Sequence, residues 1–228
     1  AQGGTRMNAG ISVVIPARNS ALHLAETVAS VQAQTLRVQA IIIVDDGSQD
    51  GTAQLAATLG DTVRVIRQDH AGAAQARNTG VAQVETEYLA FVDSDDVWLP
   101  QKLEWQMAGP AVGTMVFGHC VQFTSPELTP AQAAELFFNP GPMAAIAASA
   151  LLMRTSDFHH AGLFDAALKT GEFIEWYARA QALGLGTRVL PQTIFRRRLH
   201  AGNHGRAETR AHYARALKAV LDARRKPA

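Results

Sequence analysis

The stretch Leu89 to Trp98, LAFVDSDDVW, runs a block of apolar residues straight into three carboxylates within four positions. An unbroken apolar run of this length, preceded by Tyr88, predicts a strand over Tyr88 to Val92. The crowding of Asp93, Asp95 and Asp96 is self-repelling, and hard carboxylate oxygens so close together suit a divalent cation such as magnesium, calcium or manganese. An Asx-rich turn leading into the next helix is the alternative reading of the same residues. A cation held here would bridge the oxygens of a diphosphate and stabilise it as a leaving group.

The same design appears upstream. Ile11 to Pro16 (ISVVIP) reads as a buried strand, and Leu24, Val28 and Val31 then recur at helical spacing. Ala40 to Val44 (AIIIV) is a second strand, running into Asp45-Asp46-Gly47-Ser48, and Leu55 and Leu59 mark a following helix that Gly60 stops. Val63 to Arg67 predicts a shorter strand and Ala71 to Val84 a helix. Strands alternating with helices define an α/β chain with a mostly parallel, Rossmann-like mixed sheet flanked by helices. Ligands of such sheets bind at the carboxyl ends of the strands, where both acidic loops fall. There Asp45 and Asp46 can accept a hydrogen bond from a base N–H or a ribose hydroxyl. Neither GxGxxG nor GxxxxGK[ST] occurs, so a dinucleotide fingerprint or a Walker loop is not supported.

Downstream the pattern is weaker. Pro100 is expected to open a helix carrying Leu103, Trp105 and Met107. Thr114 to Phe123 reads as one strand or a bent pair, and Thr129-Pro130 caps a short helix. Ala144 to Arg154 reads as a buried strand and Gly171 to Leu183 as a helix. Thr187 to His200 is extended, and Ala207 to Arg225 is a terminal helix with Tyr213, Leu217, Val220 and Leu221 on one face. Residues 1–10 are expected to be a disordered lead. Residues 11–228 are read as one domain, in which 11–110 form one half and 111–228 the other.

Of the 228 residues, 47% are apolar and 18% charged, enough to bury a sizeable core. No run approaches the length of a membrane span, and a cytoplasmic chain is expected. Cys120 is the single cysteine, which excludes an internal disulfide and a cysteine zinc cluster. The net charge of +1 conceals an asymmetry: residues 188–228 hold 11 Lys and Arg against 2 Asp and Glu, while residues 1–187 hold 10 against 18. The basic tail leaves peripheral contact with the inner membrane face and a homodimer open. No nucleic-acid partner is expected.

Ile11 to Asn19 (ISVVIPARN), Ile43 to Thr52 (IVDDGSQDGT), Gly72 to Gly80 (GAAQARNTG) and Leu89 to Trp98, in this order and spacing, resemble the family-two glycosyltransferases of the GT-A fold. The resemblance covers residues 11 to 107, with a weaker extension at Ala161 to Asp165 (AGLFD) and Gly171 to Arg179 (GEFIEWYAR). It implies that a sugar moves from a nucleoside-diphosphate donor, expected to be UDP-linked, to an acceptor hydroxyl with inversion. The acceptor is an unidentified glycan, lipid-linked glycan or protein. Pro16, Ala17 and Asn19 would then line the nucleotide pocket, Asp45 and Asp46 would read base and ribose, and Arg77 would face the diphosphate or brace the acidic loop. Asp93 and Asp95 match the DxD pair, the first toward sugar or ribose and the second toward Mn2+ or Mg2+, with Asp96 assisting.

Where the family offers a Glu-Asp pair at the start of its acceptor-side helix, this chain reads Glu172-Phe173. Glu172 and Glu175, three residues apart on one helical face, are both candidates for the base that deprotonates the acceptor. Pairing of Glu175 with Arg179 is the alternative. His200 is a candidate metal ligand, as a late histidine is in some relatives. Strand alternation sends Arg196 and Arg198 to one face and Arg197 to the other, so that at least one can meet phosphate. A nucleotidyltransferase and a nucleotide-sugar-binding module without catalysis are the competing functions.

Overall fold

The computed structural model describes residues 10–109, 112–136, 138–139 and 141–200. The expected terminal helix and most of the lead lie outside these residues.

Four apolar runs become the parallel part of the sheet: β1 (Ile11–Ala17), β2 (Ala40–Asp46), β3 (Val63–Gln68) and β4 (Tyr88–Phe91). β1 lies between β2 and β4, and β3 flanks β2. β1, β2 and β4 are almost wholly buried, because helices cover both faces of the sheet. The crossovers are α1 (Leu24–Gln32), α2 (Thr52–Ala56) and α3 (Ala73–Val81). Leu24, Val28 and Val31 are buried as their spacing predicts. α2 is only five residues long, so the helix expected to reach Leu59 ends earlier.

The second half extends the same sheet. Its elements are β5 (Val97–Trp98), α4 (Lys102–Met107), β6 (Thr114–Thr124), α5 (Pro130–Ala134), β7 (Met143–Ala145), β8 (Leu152–Arg154), α6 (Thr155–Ala161), α7 (Glu172–Ala182) and β9 (Gly186–Leu199). The nine-stranded order is β3-β2-β1-β4-β8-β6-β9-β5, with β7 paired to β6. β8 joins β4 antiparallel, whereas β9 runs parallel to β6 across an irregularity at Phe117–Cys120. The mixed, largely parallel α/β architecture agrees with the sequence reading.

Two further local expectations are corrected. Ala144 to Arg154 is not one strand: β7, a 3-10 turn at Ala148–Ala150 and β8 divide it, since small alanines supply no continuous pleated face. α4 begins at Lys102 rather than Pro100. It buries Lys102 and Gln106 beside Leu103, while Trp105 is only partly covered. Lys102 Nζ lies 4.0 Å from the Trp98 ring centroid and donates to Gln106 Oε1 at 2.6 Å. Complete burial holds its ammonium pKa well below the usual lysine range. Among the described residues, no helix is long and apolar enough to cross a membrane.

The GAAQARNTG segment shows how one short helix locks the layers. Gly80 packs so closely on β1 that a Cβ there would meet Val14 Cγ1 at 2.4 Å. Asn78 Nδ2 donates to Phe164 O at 2.8 Å while Phe164 N donates to Asn78 Oδ1 at 3.0 Å, tying α3 to the AGLFD loop. Arg77, on the same helix, is left to point at the acidic loop.

Candidate active site

Because β1, β2 and β4 are parallel, the loops at their carboxyl ends meet along one edge. Polar side chains stitch them together. Asn19, in the left-handed region at φ 50°, donates its N–H to Ser48 Oγ at 2.9 Å and accepts from Gln49 N–H at 2.9 Å. Ser20 N–H donates to Thr52 Oγ1 at 2.8 Å, and Ser20 Oγ lies 2.7 Å from Ser94 Oγ. Asn tolerates the left-handed conformation better than most residues, which lets the chain turn directly after Ala17. Pro16 and Ala17 end β1 beneath this loop.

The two aspartates of β2 have different surroundings. Asp46 Oδ1 accepts from Gln68 Nε2 and Ala71 N–H, each at 2.8 Å, and Oδ2 accepts from His70 Nδ1 at 2.8 Å and Gly72 N–H at 2.9 Å. Burial raises its pKa, but these donors more than offset it and hold the carboxyl below the usual value. All four acceptor sites of the carboxylate are engaged. In this arrangement Asp46 fastens the loop between β3 and α3. Gly47, at φ 71°, permits the arrangement, since a Cβ there would meet His70 N at 2.9 Å. Asp45 is fully buried; its Oδ1 accepts from Ser48 N–H at 3.3 Å, whereas Oδ2 has no hydrogen-bond donor among the described residues and lies 3.4 Å from Arg67 Nε.

The acidic loop also divides its labour. Arg77 Nη2 donates to Asp93 Oδ1 at 2.7 Å, and Arg77 Nη1 donates to Glu172 Oε1 at 2.6 Å. Partial burial pushes the Asp93 carboxyl up, but the adjacent guanidinium prevails and holds it below the usual range. The Asp93 side chain stays 44% exposed while that of Arg77 is 7% exposed, so the aspartate opens to the site from a buried support. Asp95 Oδ2 lies 2.8 Å from His200 Nε2, with both side chains partly exposed. Asp96 is turned inward, where Oδ1 accepts from Arg198 N–H at 3.2 Å. Burial first, then the charges of Asp95 and Asp93, push its pKa well up. Asp96 therefore belongs to the wall of the loop, not to its open face. Among the described residues, no three His, Cys, Asp or Glu side chains converge as a ready-made metal cage.

The acceptor-side candidates separate as well. Glu172, at the start of α7, reaches the acidic loop through Arg77. Glu175 turns away, to Arg179 Nε at 3.0 Å and Nη2 at 3.1 Å. Arg179 also donates to Ala161 O and to Leu163 O, bracing the turn after α6. Phe173 is buried against Phe117 and Tyr177. Sequence reasoning overlooked Ser20, Thr52, Ser94, His70 and Ser149, which donates no charge but accepts the Asp93 N–H at 3.0 Å. Their only signal was a density of Ser, Thr and Asp at strand ends.

Parallel strands ending in paired acidic loops, with a carboxylate delivered from a later helix, define the GT-A class of nucleotide-sugar transferase folds. The protein TarS of Staphylococcus aureus, solved in complex with UDP-GlcNAc, superposes with a TM-score of 0.71 at 18% identity, over 92% of this chain and 65% of that one. Residues 12–123 match the family described as Glycosyl transferase family 2. An uncharacterized glycosyltransferase of Rickettsia conorii is 28% identical over 176 residues, 70% of this chain and 29% of that protein. The Escherichia coli protein WfgD, a UDP-Glc:alpha-D-GlcNAc-diphosphoundecaprenol beta-1,3-glucosyltransferase, is 32% identical over 100 residues, 43% of this chain and 40% of that protein. The chain thus spans well under half the length of these curated relatives.

Proposed function

We propose that this chain is the catalytic domain of an inverting, metal-dependent glycosyltransferase that moves one sugar from a UDP-linked donor to an acceptor hydroxyl. The observation that carries it is the Arg77 bridge, which sets a carboxylate of the acceptor-side helix beside the open aspartate of the donor-side loop. TarS binding UDP-GlcNAc and WfgD using UDP-Glc support a uridine donor.

Asp45, whose buried Oδ2 lies beside Arg67 with no hydrogen-bond donor, exchanges that ion pair for a base N–H or ribose hydroxyl, and Asp93 orients the sugar. The chemistry of the donor set fits Mn2+ or Mg2+: Asp95 and His200 would hold the ion, and substrate oxygens would complete its coordination. When bound, the ion supplies neutralisation of the departing diphosphate. Glu172 takes the proton from the acceptor hydroxyl as it attacks the anomeric carbon. Glu172 is favoured over Glu175 because the Arg77 bridge sets it beside Asp93, whereas Glu175 turns away to Arg179.

The test is calorimetric titration of UDP, GDP, CDP and dTDP with and without manganese. Selective, ion-dependent binding of UDP is expected, and Asp95→Ala should abolish the ion dependence with folding intact. A second reading, a nucleotide-binding module without transfer, draws on Phe173 and on the engagement of Glu172 by Arg77. Tight UDP binding with neither transfer nor donor hydrolysis would select it.

A further inference from the structure

A diphosphate seated beside Asp93 and Asp95 needs cationic donors as well as a metal, and the residue expected to provide them has none to spare. Arg77 is buried and both of its terminal nitrogens are taken by carboxylates. Arg198 is 2% exposed, and its guanidinium donates to Asp95 O and to Glu26. Arg18, on the opposite loop, is hydrogen-bonded to His70 at 2.8 Å.

The outer end of β9 holds a different kind of arginine. Its backbone is tied to the acidic loop on both sides of Arg197: Arg196 pairs with Val97 of β5, and Arg198 N–H donates to Asp96 Oδ1 at 3.2 Å. Strand alternation then sorts the three side chains. Arg196 and Arg198 stack on Phe123, at 4.2 and 4.5 Å from its ring centroid, on one face. Arg197 goes to the other face, is exposed, and its side chain makes no ion pair or hydrogen bond among the described residues. On that face its positive charge acts on Asp93 and Asp96, favouring the ionised form of each, although burial keeps the Asp96 pKa well up.

We propose that Arg197 is a phosphate-binding residue of the donor site, contacting the diphosphate of the nucleotide sugar with a guanidinium held against the acidic loop but not consumed by it. A guanidinium presents five donors in a fork suited to phosphate oxygens. The inference rests on the nucleotide-sugar reading above and adds a residue to it.

The experiment is calorimetric titration of UDP, with manganese, into the wild type and the variants Arg197→Gln, Arg197→Lys and Arg196→Gln, each first checked for an unchanged melting temperature. Arg196→Gln removes the same charge one residue away from the opposite face. Arg197→Gln should weaken UDP binding about tenfold, the loss expected for one charge-assisted contact. Arg197→Lys should fall between it and the wild type, and Arg196→Gln should stay within about twofold. Unchanged UDP affinity in Arg197→Gln overturns the proposal and turns this arginine toward an anionic acceptor. Equal losses in Arg197→Gln and Arg196→Gln also overturn it, because general charge rather than contact would then be responsible. If the wild type binds none of UDP, GDP, CDP and dTDP, the donor reading itself falls and takes this inference with it.

Discussion

Asp93 and Glu172 are held on either side of one guanidinium, with Arg77 donating to the first at 2.7 Å and to the second at 2.6 Å. A donor-side loop and an acceptor-side helix are thereby fixed to each other by a planar fork that no other side chain reproduces. Arg77→Lys offers a single ammonium, which cannot hold both carboxylates in register. Transfer is expected to fall about 100-fold from misplacement of the reacting groups, with UDP affinity changed much less. Arg77→Met leaves the Glu172 carboxylate buried without its partner, and urea denaturation should show a loss of about 3 kcal/mol. The Asp93 arm adds little to that figure because its carboxylate is half open to water.

Glu172 and Glu175 are distinguished by parallel Gln variants. Glu172→Gln should lower kcat about a thousandfold while leaving UDP affinity intact, as removal of a general base does. Glu175→Gln should keep kcat within a few-fold and cost about 1 kcal/mol of stability through loss of the Arg179 brace. Comparable kcat losses in the two would remove the assignment of Glu172 as the base.

Asp46 sits below its usual pKa because four donors converge on its ionised form. A depressed carboxyl pKa stabilises the fold above the unfolded value of about 4 and ceases to do so as the pH falls through the folded value. Asp46→Asn should therefore be about 2 kcal/mol less stable than the wild type at pH 7. The two stabilities should converge as denaturation is followed from pH 6 toward pH 3. Parallel curves across that range would mean that Asp46 is not the acid-sensitive fastener of the loop between β3 and α3.

Gly80 has no room for a methyl group, since Val14 Cγ1 lies 2.4 Å from where the Cβ would stand. Alanine would raise helix propensity, yet the clash should prevail because β1 and α3 are both packed on other layers. Gly80→Ala is expected to lose about 2 kcal/mol in chemical denaturation. A gain in stability would show that the layers can separate at little cost.

Much of this design was legible in the chain. The apolar runs of β1, β2 and β4 and the spacing of Leu24, Val28 and Val31 announced a layered parallel sheet. The loops at Asp45 and Asp93 lay where such sheets bind ligands. The alanine-rich segment 144–154 and α4 were less legible. Side-chain size gives no period in the first, and in the second Lys102 and Gln106 are buried through a ring contact and hydrogen bonds that a hydrophobic pattern does not register.

The sequence by itself determined the order of the elements, the class of fold and the set of residues near the site, because these follow from local periodicity and from motif order along the chain. Only the tertiary structure decided how those residues divide their work: Asp46 spent on Ala71 and Gly72, Asp96 turned into the core, Glu175 taken by Arg179, and Glu172, Arg77 and Asp93 joined. The reason is physical. A carboxylate's role depends on which donors reach its oxygens and how much water it keeps, and several of these donors come from segments that only folding brings within hydrogen-bond distance.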